Sequence, residues 1–201
     1  MPLSIEERFE KMREIRYELL SLKKSPLYEY RTKNKYFSVV GEGSLNASIM
    51  FVGEAPGKNE AETGKPFCGR SGKILDEMLA SIKLNREDVY ITNIVKDRPP
   101  ENKDPSPEEI KIYSPFLDRQ INIIKPKVIA TLGRFSMVYI MEKFGVEGKY
   151  SIGETHGKEF IVKSDYGKLT IVPLYHPAVA LYNGSNKKTL LQDFKILKKY
   201  L

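Results

Sequence analysis

Short apolar runs recur along the chain and predict buried strands. Residues 49–52 (IMFV) are consecutive apolar positions, which is typical of a strand covered on both faces. Similar runs follow at 88–95, 127–132 and 169–175. A further β-rich run at 159–163 is joined to the last one by Asp165-Tyr166-Gly167, which predicts a hairpin.

Segments with helical spacing lie between these runs, at 4–22, 73–82, 108–124, 135–144 and 187–201. Ser4 with Glu7 indicates a capped start for the first helix, and Pro107 suits the start of the third. Residues 23–47 predict no helix, only a layer over the sheet. The positions expected to face inward in the first and last helices are Ile5, Phe9, Met12, Ile15, Leu19, Leu22, Leu190, Leu191, Phe194 and Leu197.

The alternation of strands and helices predicts an α/β fold. We expect a three-layer α/β/α sandwich around a central four-stranded parallel sheet. At 201 residues the chain is long enough for one domain, which we place at 1–201.

The net charge, the cysteine count and the first 20 residues limit the functions that this chain could have. The 33 Lys and Arg against 26 Asp and Glu give a net charge of +7, which fits either a polyanionic partner or an ordinary solvated surface. The single cysteine, Cys68, excludes an intrachain disulfide and any metal site that draws several thiolates from this chain. Because the first 20 residues lack a continuous apolar core, we expect no signal peptide or membrane anchor and a cytoplasmic location.

Polar residues follow the carboxyl end of each predicted strand. They are Gly53-Glu54, Thr92-Asn93, Gly133-Arg134 and His176-Pro177. Since parallel strands end at one edge of a sheet, these residues would line one crevice there. They could also be ordinary polar turns.

Five side chains near this edge could contact a ligand, and each has an alternative structural explanation. Asn93 lies within an apolar run, where burying an unpaired amide costs roughly 1–3 kcal/mol. It either bonds the neighbouring backbone or contacts a ligand. Phe67 could fill the core or stack on a planar ring. His176 could be structural, and Glu54 and Glu60 could be loop caps or solvated charges.

Familiar metal and nucleotide motifs are missing from the sequence. It contains no His-x-x-x-His, no paired cysteines and no Gly-Lys-Ser phosphate loop. The glycines at 53 and 57 do not form the dinucleotide-binding pattern.

Five motifs taken together resemble the uracil-DNA glycosylase superfamily, and most of all its family four of thermostable bacterial and archaeal enzymes. In order they are GEAPG, GKPFCGRSG, YITNIVKDRPP, PKVIATLG and YHPAVALYN. The resemblance extends from about residue 22 to 194. It implies excision of uracil from DNA by a monofunctional hydrolase that leaves an abasic site.

The resemblance also implies roles for particular residues. Catalytic roles fall on Glu54, Glu60 and His176, and uracil-binding roles on Gly53, Ala55, Phe67 and Asn93. DNA contacts fall on Pro56, Gly57, Arg134, Pro177, Ala178 and Leu181, with the segment 179–182 as the expected wedge in the vacated base stack. Ala55 stands where some members carry an aspartate that activates water, so we expect weak base catalysis and a largely dissociative path.

Two departures from family four bear on the cofactor and on catalysis. The positions that match its iron–sulfur ligands hold Leu22, Ser25, Asp97 and Tyr113, so we expect no cluster and no metal. We expect packing to hold the segment that a cluster would tie down, with Tyr113 over residues 22–27. Ala61 replaces an acidic residue of the family, outside the expected pocket.

Two alternatives to uracil excision stay open from sequence. The chain could be a module that senses uracil or damaged bases without cutting, or an enzyme with a range that includes hypoxanthine or xanthine. In each case the expected partner is uracil-containing or damaged DNA, and the expected state is a monomer. The many charged residues and the lack of tryptophan indicate a thermophile.

Overall fold

The computed structural model describes residues 3–181 and 184–201 and has a mixed six-stranded sheet at its centre. The strands are β1 (Glu42–Gly43), β2 (Ile49–Gly53), β3 (Tyr90–Asn93), β4 (Val128–Leu132), β5 (Phe160–Ser164) and β6 (Gly167–Leu174), in the spatial order β1-β3-β2-β4-β6-β5. The four central strands are parallel, as predicted. The antiparallel edge strand β5 belongs to the predicted hairpin, whereas β1 was not predicted.

Helices cover both faces of the sheet. They are α1 (Ile5–Leu20), α2 (Tyr28–Lys33), α3 (Lys58–Thr63), α4 (Arg70–Ser81), α5 (Pro107–Ile124), α6 (Arg134–Lys143), α7 (Ile152–Thr155) and α8 (Gly184–Phe194). Met50 and Val52 of β2 pack in the same core cluster as residues of α1, α5 and α6. Ile49 and Phe51 pack in a second cluster with α4 and α8. Because alternate residues of one strand point to opposite faces, this division confirms the three-layer architecture.

The first helix matches its prediction at its start but not along its whole length. Ser4 and Glu7 form the expected capping box, in which each side chain accepts a hydrogen bond from the other residue's backbone N–H. Ile5 and Phe9, predicted to face inward, are 40% and 65% exposed. The buried residues of α1 begin at Met12, so its first two turns extend beyond the core.

Some element boundaries differ from the predictions. The prediction that 23–47 holds no helix is wrong, since α2 forms there, and α3 forms within the loop after β2. The predicted strand 88–95 is limited to Tyr90–Asn93, because Arg86–Asp88 form a 3₁₀ turn. The predicted last helix ends at Phe194 and continues as a 3₁₀ helix, Lys195–Tyr200. In the ranges described, no helix is both long and apolar enough to cross a membrane.

A buried polar network ties the segment after α1 to the sheet. The Ser25 and Tyr113 hydroxyl oxygens are 2.7 Å apart, and Tyr113 donates to Asp97 Oδ2 at 2.6 Å. Arg31 of α2 forms an ion pair with the same carboxylate at 3.2 Å, and Ser38 donates to its other oxygen. Burial raises the pKa of Asp97, while hydrogen bonds from the Ser38 and Tyr113 hydroxyls and the charge of Arg31 lower it. The network places Tyr113 against residues 22–27, as expected.

Replacing Tyr113 with phenylalanine should destabilise the fold. The Tyr113 ring is fully buried, and losing its hydroxyl leaves Ser25 and Asp97 each without one partner. We expect a loss of about 1–3 kcal/mol in urea-unfolding free energy. The matched control, Tyr17→Phe at a residue that is 62% exposed, should unfold like the parent. Equal stability of the two variants would contradict this account.

Candidate active site

A cavity of about 450 Å³ lies at the carboxyl edge of the central strands. It is lined by Glu54, Ala55, Pro56, Gly57, Glu60, Phe67, Ser71, Asn93, Pro99, Asn102, Lys103, His176 and Ala178. A larger cavity of about 640 Å³ lies between α1 and β1, away from this edge. The smaller cavity is the candidate site because it collects the polar residues that follow β2, β3 and β6, as the parallel sheet predicts.

Asn93 ends β3 and is buried on the cavity floor. The residue is 1% exposed, and within the described residues its Oδ1 atom has no hydrogen-bond partner. A Cβ atom on Gly53 would lie 2.3 Å from that oxygen and 2.7 Å from Cζ of Phe67. Glycine at position 53 therefore allows the amide and the aromatic ring to approach the same backbone. A buried, unpaired acceptor of this kind suits a ligand N–H.

The loop that carries Phe67 is held in a strained conformation. Phe67 has a φ of 48°, which a non-glycine residue rarely adopts. Glu60 Oε1 accepts hydrogen bonds from the backbone N–H groups of Cys68 and Gly69, at 3.0 and 2.9 Å. A Cβ atom on Gly72 would lie 1.8 Å from the Phe67 carbonyl oxygen, so α4 packs directly on the loop. These contacts fix the ring of Phe67 beside the cavity.

His176 lies opposite Phe67 and is held in one tautomer. The two ring centroids are 5.7 Å apart, with 33° between the ring planes. The backbone N–H of Ala178 donates to His176 Nδ1 at 3.2 Å, so the ring proton belongs on Nε2. Burial lowers the pKa of His176 to about 4, although the charge of Glu60 opposes the shift. At neutral pH the imidazole is uncharged and can donate from Nε2.

Glu54 is a half-buried carboxylate at the cavity wall. Burial raises its pKa to about 7; Asp104 adds to this shift and Arg134 opposes it. Arg134 and Asp104 are themselves exposed and lie 3.5 Å apart. The protonation of Glu54 therefore changes near neutral pH.

The remaining predicted residues fall into three groups. Ala55, Pro56, Gly57 and Ala178 line the cavity. Arg134 and Pro177 do not: Arg134 is exposed beside Asp104, and Pro177 is buried. Leu181 is 36% exposed at the end of the 3₁₀ helix Pro177–Leu181. Of the predicted wedge 179–182, Tyr182 lies outside the described residues.

Sequence reasoning missed four lining residues: Ser71, Pro99, Asn102 and Lys103. Three of them follow β3, so the rule that loops after parallel strands share one edge could have found them.

The four residues that the resemblance matches to cluster ligands do not fit an iron–sulfur cluster. Leu22 is buried and apolar, and Ser25, Asp97 and Tyr113 belong to the hydrogen-bonded network described above. Cluster iron takes thiolates, and Cys68 is exposed in the Phe67 loop instead. Across residues 3–181 and 184–201, no group of three or more His, Cys, Asp or Glu is placed to hold a metal ion.

Comparison with known proteins assigns the class. The family model of the uracil DNA glycosylase superfamily matches residues 40–196, and the chain belongs to this superfamily. Within it, the chain is similar to type-4 uracil-DNA glycosylases. It is 48% identical over 188 residues to the one from Sulfurisphaera tokodaii, covering 93% of this chain and 83% of that protein. It is 44% identical over 186 residues to the one from Archaeoglobus fulgidus, covering 92% and 91%. The family predicted from sequence is confirmed.

Replacing Glu54 with glutamine should stabilise the protein above neutral pH. The folded pKa of about 7 exceeds the ordinary 4.5, so the stability linked to this group is complete below pH 4.5 and is lost as pH rises through 7. Because solvent partly screens this half-exposed carboxyl, at pH 8 we expect Glu54→Gln to gain only roughly 1–2 kcal/mol in urea-unfolding free energy, with little gain near pH 4.5. Glu62→Gln, at an exposed residue of α3, should show no such pH-dependent gain. An equal effect at both pH values would disprove the pKa assignment.

Proposed function

We propose that this protein hydrolyses the N-glycosidic bond of uracil flipped out of DNA and leaves an abasic site. Superfamily membership and the names of its relatives confirm the predicted activity class, a uracil-DNA glycosylase that hydrolyses N-glycosyl bonds. The observation that carries the proposal for this site is the buried, unpaired Oδ1 of Asn93 in the cavity that Phe67 and His176 also line.

Asn93 selects the base in this proposal. Its Oδ1 accepts the N3–H of uracil, and its amide N–H donates to O4. Cytosine presents the opposite donor and acceptor pattern, which would leave buried groups unpaired on both sides. Phe67 stacks on the flat face of the ring and offsets part of the unstacking cost.

His176 stabilises the leaving base. When the glycosidic bond breaks, its electron pair passes to the uracil ring and negative charge gathers there. The neutral imidazole donates from Nε2 to this developing anion, since its Nδ1 already accepts from Ala178. A well-placed donor of this kind contributes roughly 3–4 kcal/mol to the transition state.

Glu54 and Glu60 have different roles in this proposal. Ionised Glu54 orients the attacking water and supports the cationic deoxyribose, since Ala55 next to it offers no carboxylate. Glu60 acts on the Phe67 loop through its two backbone hydrogen bonds and on His176 through its charge. In this proposal Glu60, predicted to be catalytic, lines the cavity and also positions Phe67.

We propose that residues at and near the cavity contact the DNA. Pro56, Gly57, Lys103 and Ala178 line the cavity. Arg134 and Leu181 are exposed and would contact phosphates and the vacated stack, whereas Pro177 is buried. Phosphate contacts help to offset the cost of flipping the base. We propose that the chain acts on uracil-containing DNA in the cytoplasm, as a monomer with residues 1–201 forming one domain.

The test compares strand breaks at abasic sites in a uracil-containing oligonucleotide after alkali treatment. The wild-type protein should release uracil, and Asn93→Ala should be slower by at least about 100-fold and lose discrimination between uracil and cytosine. Asn46→Ala, at an exposed loop position, should retain full activity. If micromolar wild-type protein produces no breaks but binds the oligonucleotide, the chain is a sensing module and the proposal fails.

We also propose that the protein folds without an iron–sulfur cluster. The sequence offers one cysteine, and the network of Ser25, Asp97, Tyr113 and Arg31 ties the same segment. Protein purified without oxygen should contain no stoichiometric iron and show no absorbance near about 400 nm. Chelator should leave its unfolding midpoint unchanged, and one cluster per chain would contradict the proposal.

A further inference from the structure

Lys96 is fully buried three residues after Asn93, where a lysine is costly. Its Nζ lies 2.6 Å from the backbone oxygen of Asn93, 2.7 Å from Thr92 Oγ1 and 2.6 Å from Gln120 Oε1. Among the described ion pairs none includes Lys96. The contacts of this lysine are therefore with neutral oxygens, one of them on the residue that reads the base.

Each of the three oxygens is available to accept from Lys96. The Thr92 hydroxyl donates its proton to the Val40 carbonyl at 2.7 Å, which leaves its lone pairs for the lysine. The Asn93 carbonyl and the Gln120 amide oxygen can only accept. The orientation of the Gln120 amide is fixed, because its Nε2 donates to the Val40 carbonyl at 2.9 Å and to the Tyr90 hydroxyl at 3.1 Å. These three oxygens are the shortest contacts of Lys96 Nζ, and the Val40 carbonyl oxygen lies further away, at 3.5 Å. Burial lowers the pKa of the Lys96 amine.

The hydrogen bond from Lys96 takes the place of a sheet hydrogen bond at the end of β3, where this strand no longer pairs with β1. β1 pairs with Tyr90 and Ile91 of β3, and its two residues extend no further along that strand. On the other side, β2 still pairs with Asn93 opposite Gly53. The carbonyl of Asn93 instead accepts from Lys96, whose own carbonyl accepts from the Val39 N–H at 2.7 Å. Lys96 thus joins the end of β3 to α5 and to the segment before β1.

The Asn93 carboxamide depends on that backbone for its orientation. Its Oδ1 has no hydrogen-bond partner in the described part of the chain, so packing against Gly53 and Phe67 and the placement of its own peptide determine where it points. A displacement of about 1 Å at a group that positions substrate can cost on the order of 100-fold in rate.

We propose that Lys96 is a positioning residue for uracil excision, which fixes the Asn93 peptide and through it the amide that reads the base. This inference rests on the proposed function. Lys96 lies beneath the cavity, among the side chains of Thr92 and Gln120, and does not line it.

The test is a double-mutant cycle on kcat/KM and on the single-turnover rate with a uracil-containing oligonucleotide. Lys96→Met keeps the length of the side chain and removes its donors, and should lower kcat/KM by roughly 10- to 100-fold. If Lys96 acts through Asn93, the same change in an Asn93→Ala background should cost less than about threefold. Urea unfolding should show the same loss of stability in both backgrounds.

A destabilised control separates positioning from general loss of stability. Tyr139→Phe removes the hydrogen bond to Asp118 at 2.7 Å, between α6 and α5. It should unfold more easily than the parent but retain parental kcat/KM. If Lys96→Met does not fold, Gln120→Met provides the test, since it removes one acceptor of Lys96 and should lose activity only when Asn93 is present.

Three results would overturn the proposal. The first is a kcat/KM for Lys96→Met within threefold of wild type. The second is an equal loss of kcat/KM from Lys96→Met with and without the Asn93→Ala change. If Gln120→Met is used instead, the third is a loss of kcat/KM that persists in the Asn93→Ala background. Failure of the proposed function is distinct, because the wild-type protein itself would then release no uracil.

Discussion

Parallel pairing of the four central strands is the constraint on which the site depends. It sends the chain out of the sheet at the same edge after β2, β3, β4 and β6. The pairing also continues into the loops, since the N–H groups of Ile94 and Val95 donate to the carbonyls of Gly53 and Glu54, at 3.0 and 2.9 Å. The first cavity residues are thus fixed by sheet hydrogen bonds, and a ligand meets groups that are already in place.

Several features of the cavity oppose stability. It contains an unpaired amide oxygen on Asn93, a carboxyl group on Glu54 whose ionisation burial disfavours, and a left-handed backbone at Phe67. The unpaired oxygen and the left-handed residue each cost about 1–3 kcal/mol. The two core clusters on either side of the sheet offset these costs. Part of the strain in the described residues thus lies in the cavity, which is a usual compromise between activity and stability.

The parts predicted from sequence were those that the local pattern determines. Uninterrupted apolar runs gave the parallel strands, and an amide inside such a run singled out Asn93. Other features arise from contacts that the local pattern does not contain. Helix α2 is six largely polar residues long and is anchored by Arg31 on Asp97. Lys96 looks like a solvated charge until the fold brings Gln120, 24 positions away, onto its amine.

The network around Tyr113 holds residues 22–31 by a different chemistry from that of an iron–sulfur cluster. Thiolate-held iron is vulnerable to oxidants, whereas hydrogen bonds and one ion pair among Ser25, Tyr113, Asp97 and Arg31 tie residues 22–31 here without a thiolate. The contacts of this region converge on one buried carboxylate, Asp97, whose pKa is raised by burial and lowered by Ser38, Tyr113 and Arg31. Under the proposal that no cluster is bound, this repair protein would fold without a supply of iron and sulfide, even where oxidants are damaging the DNA.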